Sequence, residues 1–169
     1  CNARDYYFDN KKPMVAVETS IAIITKMISA TAYMDDSNGG IGDIVRESLG
    51  FLDETCMYSD EFLKKDRTKI FNKLLKVADS NLYDGFEEWR LEIISNCIYF
   101  CDDEKLRRKF LDKLNTIIEN YDDDWRENYN KEQVLLIKLQ IIITYGTSEE
   151  EEEFINTNIN YSYISLKPE

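Results

Sequence analysis

Pro13-Met14-Val15-Ala16-Val17-Glu18-Thr19-Ser20-Ile21-Ala22-Ile23-Ile24-Thr25-Lys26-Met27-Ile28-Ser29-Ala30-Thr31-Ala32 is the stretch that decides the fold class. Val17, Ile21, Ile24, Ile28 and Ala32 recur three and four residues apart, the period of a helix with one apolar face. Pro13 suits the first turn, where its missing amide hydrogen has no intrahelical partner to lose. The helix is expected to end before the loop from Asp35 to Gly42.

The same period continues along the chain. A second helix from about Gly42 would use Ile44, Val45, Leu49 and Leu52, and a third, capped by Ser59 or Asp60, would use Phe62, Leu63, Ile70, Leu74 and Leu75. Asp84 followed by Glu87 has the form of a capping box that opens a fourth helix through Trp89, Ile93, Ile94, Cys97 and Cys101. Asp102 or Asp103 caps a fifth through Leu106, Phe110, Leu114 and Ile117. Asn130 with Gln133 opens a sixth through Leu135 and Leu139, which Gly146 closes in the left-handed conformation, and Thr147 with Glu150 signals another start. The only two prolines, Pro13 and Pro168, bracket this body. Alternation of Ile159, Tyr161, Tyr163 and Ser165 with Asn160, Ser162, Ile164 and Leu166 leaves the tail readable as extended or as coil.

The expected fold is therefore all-α. Pairing the helices over 13 to 57, 59 to 101 and 102 to 145 gives units of roughly 40 to 45 residues, the period of two-helix solenoid repeats. We expect antiparallel pairs stacked as a short HEAT-like solenoid, with an irregular helical bundle as the alternative. One helical domain spans 13 to 158, between an arm at 1 to 12 and a tail at 159 to 169. Tyr83-Asp84 before Trp89-Arg90 and Tyr121-Asp122 before Trp125-Arg126 form a loose internal recurrence, readable as repeated packing or as chance among 11 tyrosines.

Composition narrows function. The chain has no histidine, and so lacks the commonest general base and a leading zinc ligand. Its 169 residues carry 33 acidic and 21 basic side chains, a net charge of -12 that repels phosphate backbones and anionic lipid. No nucleic-acid or membrane partner is expected, and no apolar run approaches the roughly 20 residues of a membrane span. Cys1, Cys56, Cys97 and Cys101 lack the dense spacing of a secreted disulfide scaffold, which points to a reducing cytoplasm. The start at Cys1-Asn2-Ala3, without methionine, suggests a processed or excised chain, with a lipid-modified Cys1 as a further reading.

Asp35-Asp36-Ser37-Asn38-Gly39-Gly40-Ile41-Gly42-Asp43 is the most distinctive segment. Asp35, Ser37 and Asp43 stand at relative positions one, three and nine of a calcium loop, with Gly40 at six. Position twelve is Arg46, however, where the bidentate glutamate belongs. The competing reading is a tight reversal on Gly39, Gly40 and Gly42, with Asp36, Ser37 or Asp43 capping the next helix.

That loop, followed by Ile44, Val45, Leu49, Cys56, Asp60, Leu74-Leu75 and Tyr83-Asp84-Gly85, resembles a helical-repeat domain of bacterial proteins that carry SWIM zinc-finger modules. The likeness covers about residues 14 to 101, and Asp-Asp-Ser-x-Gly is its most specific motif. The resemblance implies a bacterial cytoplasmic accessory domain with no assigned chemistry. The zinc finger itself, Cys-x-Cys with Cys-x-His, is absent, so zinc dependence does not carry over.

Cys97 and Cys101, four apart on the expected fourth helix, would share one face and with Cys56 as a third ligand could grip a soft metal, but cysteine there most often packs as a small apolar residue. The acidic pairs Glu87-Glu88 and Asp102-Asp103, and the run Asp122 to Asp124, could serve acid-base or magnesium chemistry, but they sit where helix starts favour negative charge. Glu149 to Glu153 reads as a solvated first turn of a helix, with a disordered run as the alternative. Spacing assigns Trp89 to the core, whereas Trp125, set beside Asp122, Asp123 and Asp124, is the candidate partner contact. No phosphate loop and no nucleophile elbow occur.

No cofactor and no catalytic residue are assigned. The expected function is a non-enzymatic protein-interaction or accessory domain whose acidic surface selects a basic protein. The alternatives are an acidic inhibitor or immunity protein masking a basic partner, and a carboxylate- and metal-dependent hydrolase.

Overall fold

A computed structural model describes residues 12 to 34, 37, 39 to 120 and 125 to 158, with backbone alone at 125 to 128. The described residues form seven α-helices: α1 (Pro13–Ala30), α2 (Gly40–Met57), α3 (Lys64–Val77), α4 (Glu87–Ser95), α5 (Glu104–Glu119), α6 (Trp125–Tyr145) and α7 (Ser148–Asn158). Short 3-10 turns occupy Ser59–Glu61, Asn81–Tyr83 and Asn96–Phe100, and there is no strand among the described residues. The fold is all-α. The possible strand in the tail and the arm before Lys12 lie outside the described residues.

The chain divides into two compact units, Cys1–Tyr99 and Phe100–Glu169. In the first, α1 packs on α2 and α3 on α4, and the pairs meet through contacts of α1 with α3 and of α2 with α4. Ile24, Val45, Leu52, Ile70, Phe71, Leu74, Ile93 and Ile94 are fully buried there, each from the apolar stripe of its helix. Tyr83 closes one side of this core, its hydroxyl 3.4 Å from Thr25 Oγ1 on α1. In the second unit α6 packs on both α5 and α7, around Phe110, Leu114, Val134 and Ile141.

By length and composition α1 could also cross a membrane, with a mean hydropathy of 1.3 over its 18 residues. Its stripe Ala16, Val17, Ile21, Ile24 and Ile28 is instead buried in the first unit, while Val15 and Ile23 face outward.

Several helix boundaries depart from the sequence reading. α2 begins at Gly40 and its N-cap is Gly39 at φ 73°, a left-handed backbone that only glycine adopts without strain. No side chain caps it: Ser37 and Asp43 do not act there, and Asp43 instead pairs with Arg46. Ser59 does not open the third helix, because its hydroxyl is buried and donates to Tyr99 O at 2.6 Å. Phe62 and Leu63 are extended, so Leu63 stays 64% exposed and α3 starts at Lys64. Nor do Asp84 and Glu87 form a capping box. Arg90 Nη2 donates to Asp84 Oδ1 at 2.6 Å and Glu87 accepts from Gly85 N, which leaves Phe86 as an uncapped N-cap.

α4 also stops at Ser95 rather than running to Cys101. Asn96 Nδ2 donates to the Glu92 and Ile93 carbonyls, local bonding that competes with the α-helical ladder, and the chain tightens into a 3-10 turn. Cys97 and Cys101 therefore do not share a helix. Asn130 lies inside α6, which begins at Trp125 because no glycine or proline interrupts 125 to 130. Gly146 does not take a left-handed conformation. Its N–H donates to Ile142 O at 2.7 Å, and an added Cβ would stand 2.7 Å from that same oxygen, so close approach is what requires glycine.

Two starts follow the sequence reading in detail. Asp103 accepts from the amides of Lys105 and Leu106 at the head of α5. Thr147 and Glu150 form a reciprocal capping box, with Thr147 N donating to Glu150 Oε2 and Glu150 N to Thr147 Oγ1.

Candidate functional site

The residues singled out in the sequence fall in separate places. Ser37 and Asp43 are exposed, and Asp35 lies outside the described residues. Asp43 is paired with Arg46, so the cation at loop position twelve engages the carboxylate at position nine. Trp125 begins α6, but its side chain and Asp122, Asp123 and Asp124 are outside the described residues. Trp89 is half-buried rather than a core residue and stacks on Phe86, ring centroids 5.0 Å apart, because α4 turns Leu91, Ile93 and Ile94 inward instead. Among the described residues no three Cys, Asp or Glu side chains converge as metal ligands.

The three described cysteines are buried and form no disulfide with one another. Cys97 Sγ lies 3.9 Å from Phe71 O. Burial, followed by the nearby Asp53 carboxylate, raises the Cys56 thiol pKa far above its ordinary value. Burial likewise pushes Cys101 up to about 12, with Arg107 opposing and Asp102 adding to the rise. Both stay protonated at neutral pH, and only a thiolate attacks a disulfide reagent. Native protein should accordingly leave Cys56, Cys97 and Cys101 unlabelled by a disulfide reagent at about pH 8, and urea should release all three. Rapid native labelling of any of them would contradict their burial.

Charge is unevenly spread. Glu149, Glu150, Glu152 and Glu153 are exposed on the first turns of α7, beside half-buried Glu151. Glu149 is held below the usual carboxylate range by a backbone hydrogen bond and then by Thr147. By contrast α3 carries Lys64, Lys65, Arg67, Lys69, Lys73 and Lys76 against one acid, Asp66. Lys73 reaches Glu18 on α1 at 3.5 Å and Arg67 reaches Asp60 at 3.3 Å.

The most structured polar feature is a cleft of about 320 Å³ in the first unit, where α2 meets α4. Arg46, Gly50 and Asp53 line it from α2, and Glu92, Ser95 and Asn96 from the end of α4 and the turn beyond. Asp53 Oδ1 accepts from the Tyr99 hydroxyl at 2.9 Å. The Tyr99 pKa rises to about 12, through burial first and then this bond, so the phenol remains a donor at neutral pH. Burial raises the Glu92 pKa, and Glu88 adds to the rise. Asn96 is only 4% exposed; its Nδ2 is engaged with α4 carbonyls, and its buried Oδ1 has no hydrogen-bond partner among the described residues. An acceptor left in that state costs about 1–3 kcal/mol.

Sequence reasoning missed this cleft, because Asp53 and Glu92 are far apart along the chain and belong to no motif. The only local signal is that Arg46, Gly50 and Asp53 share one helical face. Compared with known proteins, the chain matches no family model, no curated protein and no solved structure.

Proposed function

We propose that the chain is a non-enzymatic protein-interaction module, an accessory domain of the bacterial cytoplasm, that holds a basic partner protein through surplus surface carboxylates. The observation that carries this reading is the net charge of -12 together with exposed carboxylates on most helices, densest at Glu149 to Glu153. Such a surface attracts cationic partners over a Debye length and repels nucleic acid and anionic lipid. The basic helix α3 argues that the partner's footprint lies elsewhere on the molecule. Stacked helix pairs, if they continue as a solenoid, would supply an extended surface for such a segment. The resemblance of residues 14 to 101 to the SWIM-associated helical-repeat domain supports the same accessory role.

The chain, immobilised and exposed to lysate of its source cells at low salt, should retain chiefly basic proteins that elute as salt is raised. A retained set without excess basic proteins would overturn the reading.

A further inference from the structure

We infer that the outer face of α1 is the contact surface of a weak homodimer, in which α1 of one copy crosses α1 of a second copy in the antiparallel sense. The inference goes beyond the proposed function and does not depend on it. By length and composition α1 is apolar enough to cross a membrane, yet only 33% of it is buried. A helix apolar all round calls for cover on every side, and the first unit covers the side of Val17, Ile21, Ile24 and Ile28. On the other side runs a groove of about 430 Å³, lined by Val15, Glu18, Ala22, Ile23, Lys26 and Met27. Val15 is 41% exposed there and Ile23 37%.

The pattern of this face matches itself when reversed. Residues four apart form two adjacent rows along the helix, Glu18, Ala22 and Lys26 in one and Val15, Thr19 and Ile23 in the other. Two helices that align such rows cross at about 50°. A two-fold axis through the middle of both rows then sets Glu18 of each copy against Lys26 of the other, and Val15 against Ile23. A symmetric contact between identical surfaces demands this reciprocity. The middle positions, Ala22 and Thr19, are small, so the helices can approach closely where they cross. Within one copy the charges are not used up. Among the described residues Lys26 has no ion-pair partner, and Glu18 meets Lys73 through Oε1, leaving Oε2 to accept from a second cation. A second copy thus supplies an apolar cover and two reciprocal ion pairs together. A lipid surface would cover Val15 and Ile23 but draw the Glu18 carboxylate toward hydrocarbon, a cost that the second copy avoids.

One helix crossing buries less than the roughly 1,200 Å² of a stable interface, so the dimer should be half-formed only at about 100 µM. The test is sedimentation equilibrium of the full chain over about 5 to 500 µM, where mass action makes a weak dimer visible. The average mass should climb from 19.9 kDa toward twice that value. Ile23→Asp, which places two carboxylates in the contact, should hold the mass at the monomer value while the circular dichroism of a dilute sample stays unchanged. Glu18→Lys and Lys26→Glu should each weaken the dimer about fivefold, because each sets two like-charge pairs across the axis. An equimolar mixture of those two variants should recover the wild-type affinity, since opposite charges then meet at both pairs of the mixed dimer. A chain that stays monomeric even at the highest concentration overturns the inference, and so does association that Ile23→Asp leaves intact. Charge variants that associate like the wild type, or a mixture no tighter than either variant alone, would place the contact elsewhere and overturn it as well. A monomer that floats with neutral phosphatidylcholine vesicles would assign the face to lipid, with the same consequence.

Discussion

Ile24→Asp will destabilise the first unit by more than about 4 kcal/mol, whereas Ile23→Asp, one position away on the same helix, will cost it only about 1 kcal/mol. Ile24 is 0% exposed in the core and Ile23 is 37% exposed on the outer side of α1. A carboxylate at position 24 would be buried without a partner. The expected cost exceeds about 4 kcal/mol, against a total stability of about 5–15 kcal/mol for a domain. At position 23 the new carboxylate reaches water, and lost apolar contact with poorer helix propensity together cost about 1 kcal/mol. Circular dichroism and urea melts of the two variants decide the matter. The pair also separates a packed helix from a lipid-spanning one, because in hydrocarbon both substitutions would be comparably harmful. Equal effects at the two positions would contradict the placement of α1 against α2.

Phe71→Ala should lower the stability of the same unit by about 3–5 kcal/mol, measured as a reduced urea midpoint with an unchanged slope. The ring is fully buried on α3, and the neighbouring Cys97 thiol lies against the Phe71 carbonyl. Closely packed interiors relax only partly around a deletion of this size, so the loss includes a cavity contribution beyond the transfer of the ring. Lys69→Ala, on the exposed side of the same helix, should shift stability by no more than about 0.5 kcal/mol. A Phe71→Ala loss below about 1 kcal/mol would mean that α3 does not bury this face.

The fold was legible where one physical cause dominated. Apolar residues three and four apart placed Val17, Ile21, Ile24 and Ile28 on one buried stripe, and the short oxygens of Asp103 and Thr147 capped their helices as sequence alone indicates. Boundaries failed where another partner, near or far in the chain, competed for a capping side chain. The Ser59 hydroxyl was taken by Tyr99 O, 40 residues on, and Asp84 was taken by Arg90, so neither could cap its helix. The first competition is tertiary and the second is a side-chain pairing six residues apart, and apolar periodicity encodes neither. Asn96 shows a subtler failure: its amide looks like any polar residue in the run from Glu92 to Phe100, yet it both ends α4 and leaves an acceptor unmatched.

The candidate site was less legible than the fold. The chain's acid surplus was plain from composition, but composition does not say that α3 gathers six cations while α7 gathers five glutamates. The runs Lys64-Lys65 and Glu149 to Glu153 carry that signal in the sequence itself. The cleft between α2 and α4 needed coordinates, because it joins residues some 40 positions apart that no spacing rule connects.

Salt dependence tests the central claim most directly. A basic protein retained by the chain, purified and titrated calorimetrically against it, should lose at least about tenfold in affinity between roughly 20 mM and 300 mM monovalent salt, as the Debye length shrinks from about 20 Å to about 6 Å. Affinity that stays constant across that range would show that surplus carboxylates do not hold the partner, and would contradict the account.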